Sequence, residues 1–388
     1  MERNVIVYFG MGFLPDNNAV ACREQALSFI IKESGYTPIL IGINRNIPFG
    51  TFKKENYKGI DCYSIRYAGT LIEKLKDSFV IVKTLVSIFS EIGIERIKCF
   101  IMQDYQIGPM RRMKKYCEKN GIAYVADIMD WFTPTSDYSI SKNVVKTIDV
   151  FLRMNVFYPF LKNKIYISHN FEQYFKDRID KNIMVLPCTC NDVQHKEVLA
   201  KDHSTNITLT FAGFVGRKFE KEKLDWIVKA LYEINSNIEL NILGVTKQEF
   251  VAGKPELALC VTDKIHFWGY QPRKKCMEIL QNSDYSIIAR KSNKLTEYGF
   301  SSKICEAFAC AVPVIATNNS DNKIYIKDGI NGYVCNSNYE ALKKLLYRVD
   351  KVEKGSVSKM QEYMRKNNPL SVKNYVEPFS VFAKNLLI

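Results

Sequence analysis

The sequence predicts an α/β protein built from two doubly wound domains, each a parallel sheet with helices on both faces. Two observations carry this prediction. The chain has 388 residues, which is long for a single hydrophobic core and suits two domains. Short β-branched apolar runs alternate with helix-period segments in both halves of the chain, a rhythm typical of β-α-β units.

The first half opens with the strand NVIVYFG, a loop, and a helix over residues 20–35 that ends at Gly35. A second strand is predicted at 37–43. Later strands are predicted at Lys98–Met102 and Ala123–Ile128, with the helix RRMKKYCEKNG between them. The segments IYISHNFEQYFKDR and IMVLPC close this half. We therefore place a first Rossmann-like domain at residues 1–190, with a linker near Cys188–Ser204, where the apolar pattern breaks.

The second half repeats the alternation from NITLTFAGFVG onwards. Its predicted elements are the helix DWIVKALYEI, the strand IELNILG, the helix CMEILQNS, the strand YSIIA, the helix ICEAFAC and the strand VPVIAT. This gives a second Rossmann-like domain at residues 191–370. The tail 371–388 has the apolar spacing of a final amphipathic helix.

Composition narrows the class of protein. The net charge is +14, but the basic residues form no long run and no nucleic-acid recognition motif is present, so no nucleic-acid partner is expected. A phosphorylated substrate or an anionic membrane surface explains the charge equally well. The eleven cysteines form no C-x-x-C pair, which indicates reduced thiols in a cytoplasmic protein. No apolar run reaches the ~20 residues of a membrane span.

Two segments mix basic and aromatic residues. They are RRMKKYCEK at 111–119 and the run at 142–164, which includes Phe151, Phe157, Tyr158 and Phe160. Such segments are compatible with a peripheral position at the inner face of a membrane. The preferred interpretation is a helix with a solvated basic face and an aromatic face turned to the core.

The most informative segment is EYGFSSKICEAFACAVPVIAT, Glu297–Thr317, which reads as a glycine turn, a helix and a buried strand. Gly299 permits a positive φ and a close backbone approach. Ser301 or Ser302 can cap the helix, whose first N–H groups have no partner within the helix. A helix start of this kind is a ready anion-binding site.

Two charged residues follow that helix start. Lys303 adds a positive charge beside the free N–H groups, and Glu306 lies four residues after Ser302, on the same face. Phosphate donors followed by a carboxylate that accepts hydrogen bonds from hydroxyls are what a sugar nucleotide requires. We therefore predict a donor site for a nucleotide sugar that includes Gly299, Ser302, Lys303 and Glu306.

A second site is predicted in GFVGRKFEKEK, residues 213–223, which follows the strand TLTFA. Loops after parallel strands are the usual ligand positions in doubly wound sheets. Gly213 allows close backbone approach, and Arg217 and Lys218 can neutralise a diphosphate. Arg290, after the strand YSIIA, is a further candidate for the same ligand. A simple turn is the competing interpretation of the loop.

The 297–317 segment resembles the donor-binding signature of the GT-B glycosyltransferases of family 4, in the variant G-F-P-T-K-x-x-E-x-x-x-x-G-x-P-V-I. The matching residues are Gly299, Phe300, Ser301, Ser302, Lys303, Glu306, Pro313, Val314 and Ile315. The resemblance implies two Rossmann-like domains facing across a cleft, a final helix that returns to the first domain, and sugar transfer with retention of configuration.

The segment also departs from that signature. The common family form has two glutamates with seven residues between them, whereas Glu297 and Glu306 have eight, and Tyr298 occupies the family spacing. Ala311 replaces the usual glycine two residues before the proline. Glu297 is kept as a candidate catalytic residue.

On the acceptor side, the resemblance implies that the loop after the first strand touches the acceptor through Gly12, Asn17 and Asn18. In VADIMDWF the candidate catalytic residue is Asp127, with Asp130 as its alternative. Caps or turn residues after a strand are an equally good interpretation of both aspartates. His169 is another candidate at this edge, and a structural histidine is its competing interpretation.

The predicted function is transfer of a hexose-type sugar from a nucleoside-diphosphate sugar to a glycan or lipid-linked acceptor, in surface polysaccharide synthesis. The sequence has no D-x-D motif, and protein cations can stabilise the leaving diphosphate, so a metal-independent reaction without a cofactor is expected. Two alternatives stay open: a nucleotide-sugar epimerase of the same fold, and a non-catalytic scaffold that retains the fold.

Overall fold

The chain divides into two α/β units, which confirms the predicted fold class. The computed structural model describes residues 3–14, 19–69, 71–134, 138–176, 182–191, 206–213, 215 and 221–388. Unit 1 comprises Met1–Phe132, Val144–Cys190 and Val372–Ile388, and unit 2 comprises Thr133–Asn143 and Asn191–Ser371. Each unit has its own sheet.

The sheet of unit 1 has eight strands in the described part of the chain. They are β1 (Val5–Phe9), β2 (Thr37–Ile43), β3 (Phe52–Tyr57), β4 (Ile60–Ile65), β5 (Ile97–Gln103), β6 (Ala123–Ile128), β7 (Asn163–Tyr166) and β8 (Asn182–Val185). Their order is β3-β4-β2-β1-β5-β6-β7-β8, parallel except for β3 against β4. The central strands are buried on both faces, because helices cover both sides of a doubly wound sheet.

Helices surround this sheet. They are α1 (Ala19–Glu33), α2 (Leu71–Ile92), α3 (Ile107–Lys119), α4 (Ile140–Leu152) and α5 (His169–Phe175). The C-terminal helix, α14 (Val376–Lys384), also belongs to this unit. Helix α4 continues directly into a short π-helix, Arg153–Phe157, and then a 3-10 helix, Tyr158–Phe160. Phe157 and Tyr158 are buried as predicted, whereas Phe151 and Phe160 are exposed, so the predicted aromatic face turned to the core is wrong for these two residues.

Unit 2 contains six parallel strands among its described residues. They are β9 (Thr208–Ala212), β10 (Glu239–Leu243), β11 (Ile265–Gly269), β12 (Tyr285–Ile288), β13 (Val314–Thr317) and β14 (Gly332–Cys335), in the order β11-β10-β9-β12-β13-β14. The strand order reverses between β9 and β12. Such a switch point opens a crevice at the carboxyl ends of the strands, where ligands bind.

The helices of unit 2 are α6 (Leu224–Glu233), α7 (Lys247–Gly253), α8 (Arg273–Gln281), α9 (Lys294–Tyr298), α10 (Ser302–Ala309), α11 (Asn322–Tyr325), α12 (Tyr339–Val349) and α13 (Lys354–Lys366). The core lies between the sheet and helices α6, α12 and α13. It includes Phe211, Leu231, Ile242, Tyr285 and Leu346.

The tail forms a 3-10 turn, Val372–Tyr375, and helix α14 (Val376–Lys384), which packs in unit 1. Phe379 and Phe382 are buried in the unit 1 core. The Oγ atom of Ser34 donates a hydrogen bond to the carbonyl of Val376 (2.9 Å), and Asn182 donates to the carbonyl of Phe382 (3.0 Å). Helix α14 therefore packs against the sheet of unit 1.

All eleven cysteines lie in described residues and are free thiols. No helix in the described ranges combines the length and apolar character needed to cross a membrane.

Candidate functional site

Helix α10 begins where the sequence predicts, but its first turn is built differently. Gly299 has φ −77°, so the positive φ that a glycine permits is not used at this position. Ser301 occupies the N-cap position without a side-chain cap bond, and its buried Oγ atom has no hydrogen-bond partner. The prediction of a serine cap is therefore wrong, and the N–H groups of the first turn keep their capacity to bind an anion.

At the C-terminal end of α10, this chain has Ala311 where the family signature has glycine, and the structure shows what that position requires. Val312 N–H donates to the carbonyl of Ala307 (2.9 Å) and Ala311 N–H donates to that of Phe308 (3.0 Å), which is the Schellman pattern. This motif needs a left-handed residue, and Ala311 has φ +52°. An alanine thus occupies a conformation for which glycine is better suited.

Lys303 is bound to a carboxylate that the sequence analysis did not select. Its Nζ atom lies 2.7 Å from Oε1 of Glu222. Arg290 reaches the same oxygen, with Nη2 at 2.6 Å and Nε at 3.1 Å. Glu222 is fully buried. Two cations thus share one carboxylate, which leaves an excess positive charge in the cluster of Glu222, Arg290 and Lys303, called the cation cluster below.

The pKa shifts in the cation cluster follow from burial and pairing. Burial opposes the charged form of Glu222, but Arg290 and Lys303 outweigh it and hold the pKa of that carboxyl well below its usual range. Burial lowers the pKa of Lys303, and Glu222 acts against that shift. The second carboxylate oxygen of Glu222, Oε2, is buried without a hydrogen-bond partner.

Gly213 makes room for the lysine. It follows β9 with φ +155°, and a Cβ atom placed there would lie 2.2 Å from Cε of Lys303. Gly244, after β10, has φ +88°, and a Cβ atom there would meet the carbonyl oxygen of Gly213 at 2.8 Å. These two glycines are required by close approach, so the path of Lys303 over the end of β9 depends on them.

The cation cluster lies at the switch point of the sheet. Arg290 comes two residues after β12, and its backbone N–H donates to Oγ1 of Thr317 at the end of β13 (2.8 Å). Lys223 N–H donates to the carbonyl of Ala289 (2.7 Å), which ties the segment carrying Glu222 to the same edge. The carboxyl ends of β9, β12 and β13 therefore bring these charges together.

Glu306 and Glu297 have different surroundings. Glu306 is partly exposed and pairs with Arg273 Nη1 at 3.3 Å. Its partial burial raises its pKa, against the effect of Arg273 and Lys303. Glu297 accepts a hydrogen bond from Asn319 Nδ2 (3.0 Å). Glu297 is thereby tied to the loop after β13.

Some predicted residues lie outside the described ones. Arg217 and Lys218 on the donor side, and Asn17 and Asn18 on the acceptor side, belong to this group. Their roles stay predictions. The segment predicted as the linker lies mostly outside the described residues as well.

Asp127 is placed inside unit 1. Its carboxylate is fully buried, accepts a hydrogen bond from the hydroxyl of Tyr8 (2.8 Å), and pairs with Arg23 Nη2 (3.1 Å). Burial raises the pKa of Asp127, against the effect of Arg23. These bonds hold Asp127 inside unit 1, and its catalytic role stays a prediction. Arg23, on helix α1, is buried as well.

Gly12 is close to another buried acid. Its N–H donates to Oε1 of Glu24 (2.7 Å), and a Cβ atom on Gly12 would lie 2.6 Å from Oε2. Burial raises the pKa of Glu24 to about 8. Glu24 therefore holds the described start of the loop after β1. His169 is exposed at the start of α5.

Glu222 is the main residue that sequence reasoning missed. It sits in FEKEK, where charged residues alternate and a solvated turn is the natural interpretation. The available signal was its position: an acidic residue just before helix α6, in a loop at the carboxyl edge of a sheet. Its partner Lys303 is 81 residues away, so no local pattern connects the two.

Part of the chain matches a model of a known protein family. Residues 195–370 match the family model described as Glycosyl transferases group 1. The resemblance predicted from the 297–317 segment is confirmed at this level. No curated protein matches the chain.

Solved structures extend the likeness to the whole chain. Sucrose-phosphate synthase from Thermosynechococcus elongatus is 12% identical, with 99% of each chain covered and a TM-score of 0.70. Anabaena HepE in complex with UDP and glucose is 11% identical, with 99% of this chain and all of that chain covered and a TM-score of 0.66. The lipopolysaccharide outer core galactosyltransferase WaaB is 16% identical, with 98% and 99% covered and a TM-score of 0.61. The fold is that of the GT-B glycosyltransferases.

Proposed function

We propose that the protein transfers a sugar from a nucleoside-diphosphate sugar, and that unit 2 binds this donor at the start of α10. The observation that carries the proposal is the cation cluster, in which Arg290 and Lys303 share the one carboxylate of Glu222. Its excess positive charge lies at the switch point of the sheet, beside a helix start without a side-chain cap. A diphosphate is the ligand that fits such a place.

The chemistry of sugar transfer gives these charges a role. Cleavage of a glycosyl–phosphate bond develops negative charge on the leaving diphosphate. Lys303 and the N–H groups of α10 favour that charge, and they do so more strongly in the transition state than in the ground state. Glu222 keeps Lys303 in position over Gly213. Arg217 and Lys218 are proposed to add to this neutralisation.

Glu306 is proposed to bind the ribose hydroxyls of the donor. Its side chain is partly exposed and lies one turn beyond Lys303, at hydrogen-bond distance from Arg273. Glu297 is proposed to act near the reacting sugar, because its carboxylate is held by Asn319 at the same edge of the sheet. Gly299 and Ser302 supply backbone at the start of α10.

We propose a glycan or lipid-linked acceptor that binds unit 1 at the loop after β1, with Gly12, Asn17 and Asn18 nearest to it. A role in surface polysaccharide synthesis draws support from the similarity to WaaB, a lipopolysaccharide outer core galactosyltransferase. A hexose as the transferred sugar, membership of family 4 and retention of configuration are parts of the same proposal. These three parts rest on the resemblance of the 297–317 segment to the donor-binding signature of that family.

Metal independence is also proposed. It draws on protein-borne cations that can take the place of a divalent ion at the diphosphate. Within the described residues, no group of three or more His, Cys, Asp or Glu side chains is arranged to hold a metal ion. The check is turnover in the presence of a chelator, which should leave the rate unchanged.

The test is a transfer assay with a panel of nucleoside-diphosphate sugars and both glycan and lipid-linked acceptors. Glu306→Ala should reduce turnover with the accepted donor severely, because a charged contact to the ribose is lost. Glu278→Ala, an exposed change on α8, is the matched control and should leave turnover at the parent level. Equal turnover by Glu306→Ala and the parent would contradict the donor site.

The same assay separates the alternatives. An epimerase would convert the nucleotide sugar without an acceptor, and a scaffold would give no product with any donor. Transfer that requires an acceptor supports the proposal against both.

A further inference from the structure

A second basic site lies in unit 2, at the outer edge of the sheet and not at its switch point. It is a cavity of about 640 Å³ lined by residues of helix α12, of strand β14 and of the segment 323–328 that precedes this strand. Strand β14 is the last strand at this end of the described sheet. The described lining includes none of Glu222, Arg290 and Lys303. This cavity, called the edge cavity below, is therefore distinct from the cation cluster.

The edge cavity carries an excess of positive charge. Its described lining has four basic residues and one acidic residue, so four positive charges and one negative charge leave a net charge of +3. The basic residues are Lys323, Lys327, Lys344 and Arg348, and the acid is Asp328. Charges of one sign around a concave space raise its potential and attract counter-ions, so the edge cavity favours an anion.

Three of these cations keep their charge without an acidic partner. In the part of the chain that the structure describes, neither Lys323 nor Lys344 forms an ion pair. Lys327 donates to the backbone carbonyl of Lys323 (3.3 Å), which leaves its positive charge in place. By contrast, Lys343, the residue before Lys344 on α12, pairs with Glu233. The free ammonium groups are thus on the side of α12 that lines the edge cavity.

The fourth cation is held in position by its neighbours. Nη2 of Arg348 lies 3.3 Å from each carboxylate oxygen of Asp328, and its Cζ atom lies 4.6 Å from the centre of the Tyr333 ring. Arg348 and Lys344 are four residues apart on α12, so they share a face of that helix. A planar guanidinium beside an ammonium group suits the oxygens of phosphate.

A buried asparagine fixes the wall of the edge cavity opposite α12. Asn331 is 2% exposed, donates through Nδ2 to the carbonyl of Tyr325 (2.9 Å), and accepts at Oδ1 from the N–H of Lys327 (2.6 Å). The next residue, Gly332, has φ +153°, and a Cβ atom there would lie 2.1 Å from the carbonyl oxygen of Val314. The fold therefore sets the backbone position of Lys327.

The rest of the described lining is uncharged. Val334 and Cys335 are partly exposed on β14, and Ile326 and Leu345 are buried beside them. Burial raises the pKa of the Cys335 thiol to about 11, so this thiol is neutral at pH 7. The positive charge of the edge cavity is therefore not offset by the strand.

We propose that the edge cavity binds a small molecule that carries two phosphate groups. One phosphate monoester carries about −1.5 to −2 at pH 7, so two such groups bring about −3 to −4 and match the charge of the lining. Pockets of this volume are of the size that holds small ligands. The proposal goes beyond the proposed sugar transfer and does not rest on it.

The test is calorimetric titration of inorganic pyrophosphate into the full chain, as the parent and with Lys303→Ala, which removes one cation from the cation cluster. We expect a binding step that Lys303→Ala retains. In both proteins, Lys323→Gln with Lys344→Gln should raise the dissociation constant of this step about tenfold or more, because two charge-assisted contacts are lost. High salt should weaken the step, since the cations are exposed.

Lys343→Gln with Lys366→Gln is the matched control. It removes the same number of positive charges from unit 2, but these two lysines pair with surface glutamates and do not line the edge cavity. The control should bind pyrophosphate like the parent. Equal affinity in the control and in the Lys323→Gln, Lys344→Gln variant would overturn the proposal, and so would the absence of any step that Lys303→Ala retains.

Two further titrations test the charge argument. Asp328→Asn should tighten pyrophosphate binding about threefold or more, because it removes the acid of the lining and releases Arg348. Orthophosphate should bind the parent cavity about tenfold more weakly than pyrophosphate, because it offers one phosphate group. Weaker binding of pyrophosphate in Asp328→Asn, or equal affinity for the two anions, would contradict a site for two phosphate groups.

A free anion and a phospholipid headgroup offer the same chemistry, and co-sedimentation with vesicles of phosphatidylcholine and cardiolipin separates them. Loss of vesicle binding in the Lys323→Gln, Lys344→Gln variant, with binding kept in the control, would assign the site to a headgroup with two phosphates. A loss confined to pyrophosphate would assign it to a free anion. No loss in either assay would overturn the proposal.

Discussion

In both units a fully buried carboxylate binds an arginine at the carboxyl edge of the sheet, yet the two sites differ in their charge. Glu222 in unit 2 is shared by Arg290 and Lys303, and its pKa is held well below the usual range. Asp127 in unit 1 has Arg23 as its cation, and its pKa is raised. The same architectural position therefore supports opposite electrostatic conditions.

The groups around Arg23 and Arg290 account for the opposite pKa shifts of Asp127 and Glu222. Arg23 also donates to the backbone carbonyls of Leu186 and Pro187, so part of its capacity is used on the chain itself. A second acid, Glu24, is buried close to Asp127. Unit 2 has the reverse imbalance, two cations against one carboxylate. An excess of positive charge suits an anionic diphosphate, and unit 1 offers no comparable excess around Asp127.

The largest expected effect comes from removing the shared carboxylate. Glu222→Ala leaves Arg290 and Lys303 buried without their anion, and it should lower the free energy of unfolding by about 3–5 kcal/mol. Chemical denaturation measures the change. Glu233→Ala is the control, since Glu233 pairs with Lys343 at the surface, where solvent screens the pair, and its loss should cost far less stability. Similar costs for the two variants would contradict the central role of Glu222.

The next effect concerns the glycine under Lys303. Gly213→Ala would place a Cβ atom 2.2 Å from Cε of Lys303 and should destabilise unit 2 by about 1–3 kcal/mol through overpacking. The displaced lysine should also weaken binding of nucleoside diphosphate. Gly329→Ala is the control, because Gly329 has φ +74° with nothing within 4 Å of its Cβ position. Gly329→Ala introduces the backbone strain without the steric clash. The difference in the free energy of unfolding between the two variants therefore measures the cost of the contact with Lys303.

Glu24, a buried acid of unit 1, allows the electrostatic comparison of the two units to be tested by varying the pH. The pKa of Glu24 is raised to about 8 in the folded protein, above its unfolded value of about 4.3. The contribution of Glu24 is thus fully present below about pH 4.3 and is lost as the pH rises through about 8. Between these pH values the free energy of unfolding falls by at most about 1.4 kcal/mol per pH unit because of this group. Glu24→Gln should flatten the fall in stability between these values.

Glu33→Gln, an exposed change on the same helix α1, is the control for that experiment and should keep the pH dependence of the parent. If Glu24→Gln and the parent lose stability in parallel between pH 5 and 8, a protonated Glu24 is not part of the folded state.

A smaller effect is expected at the end of α10. Ala311→Gly should raise the free energy of unfolding by up to about 1 kcal/mol, because the left-handed φ of +52° no longer strains a side chain. Ala307→Gly, inside the same helix, should instead destabilise by about 1 kcal/mol. Opposite signs for the two substitutions, read from thermal and chemical unfolding, are the expected result. A loss of stability in Ala311→Gly would show that the alanine contributes packing that outweighs the strain.

The sequence was sufficient where a local pattern sets the structure. The 297–317 segment predicted helix α10 and the position of Lys303, because residue spacing along a helix fixes which side chains share a face. The strand at Ala123–Ile128 agrees with β6 residue for residue. Buried parallel strands are readily recognised, since they are continuous apolar runs.

Other features depend on contacts that no local pattern contains. Glu222 joins Lys303 across 81 residues. The edge strand FKKENY was not predicted because it is polar and largely exposed, although the turn Lys58-Gly59 after it, with φ of +52° and +80°, is a typical hairpin turn. For α4 the pattern gives the apolar face but does not tell which face the rest of the chain covers.

The most direct test of the central claim is calorimetric titration of nucleoside diphosphates into the parent, Lys303→Ala and Lys343→Ala. Lys343 pairs with a surface glutamate of the same unit, so its removal changes the net charge equally without touching the cation cluster. We predict that one nucleoside diphosphate binds the parent and Lys343→Ala alike, and that Lys303→Ala binds it at least about tenfold more weakly. Equal affinity in all three proteins would contradict the placement of the donor diphosphate at the start of α10.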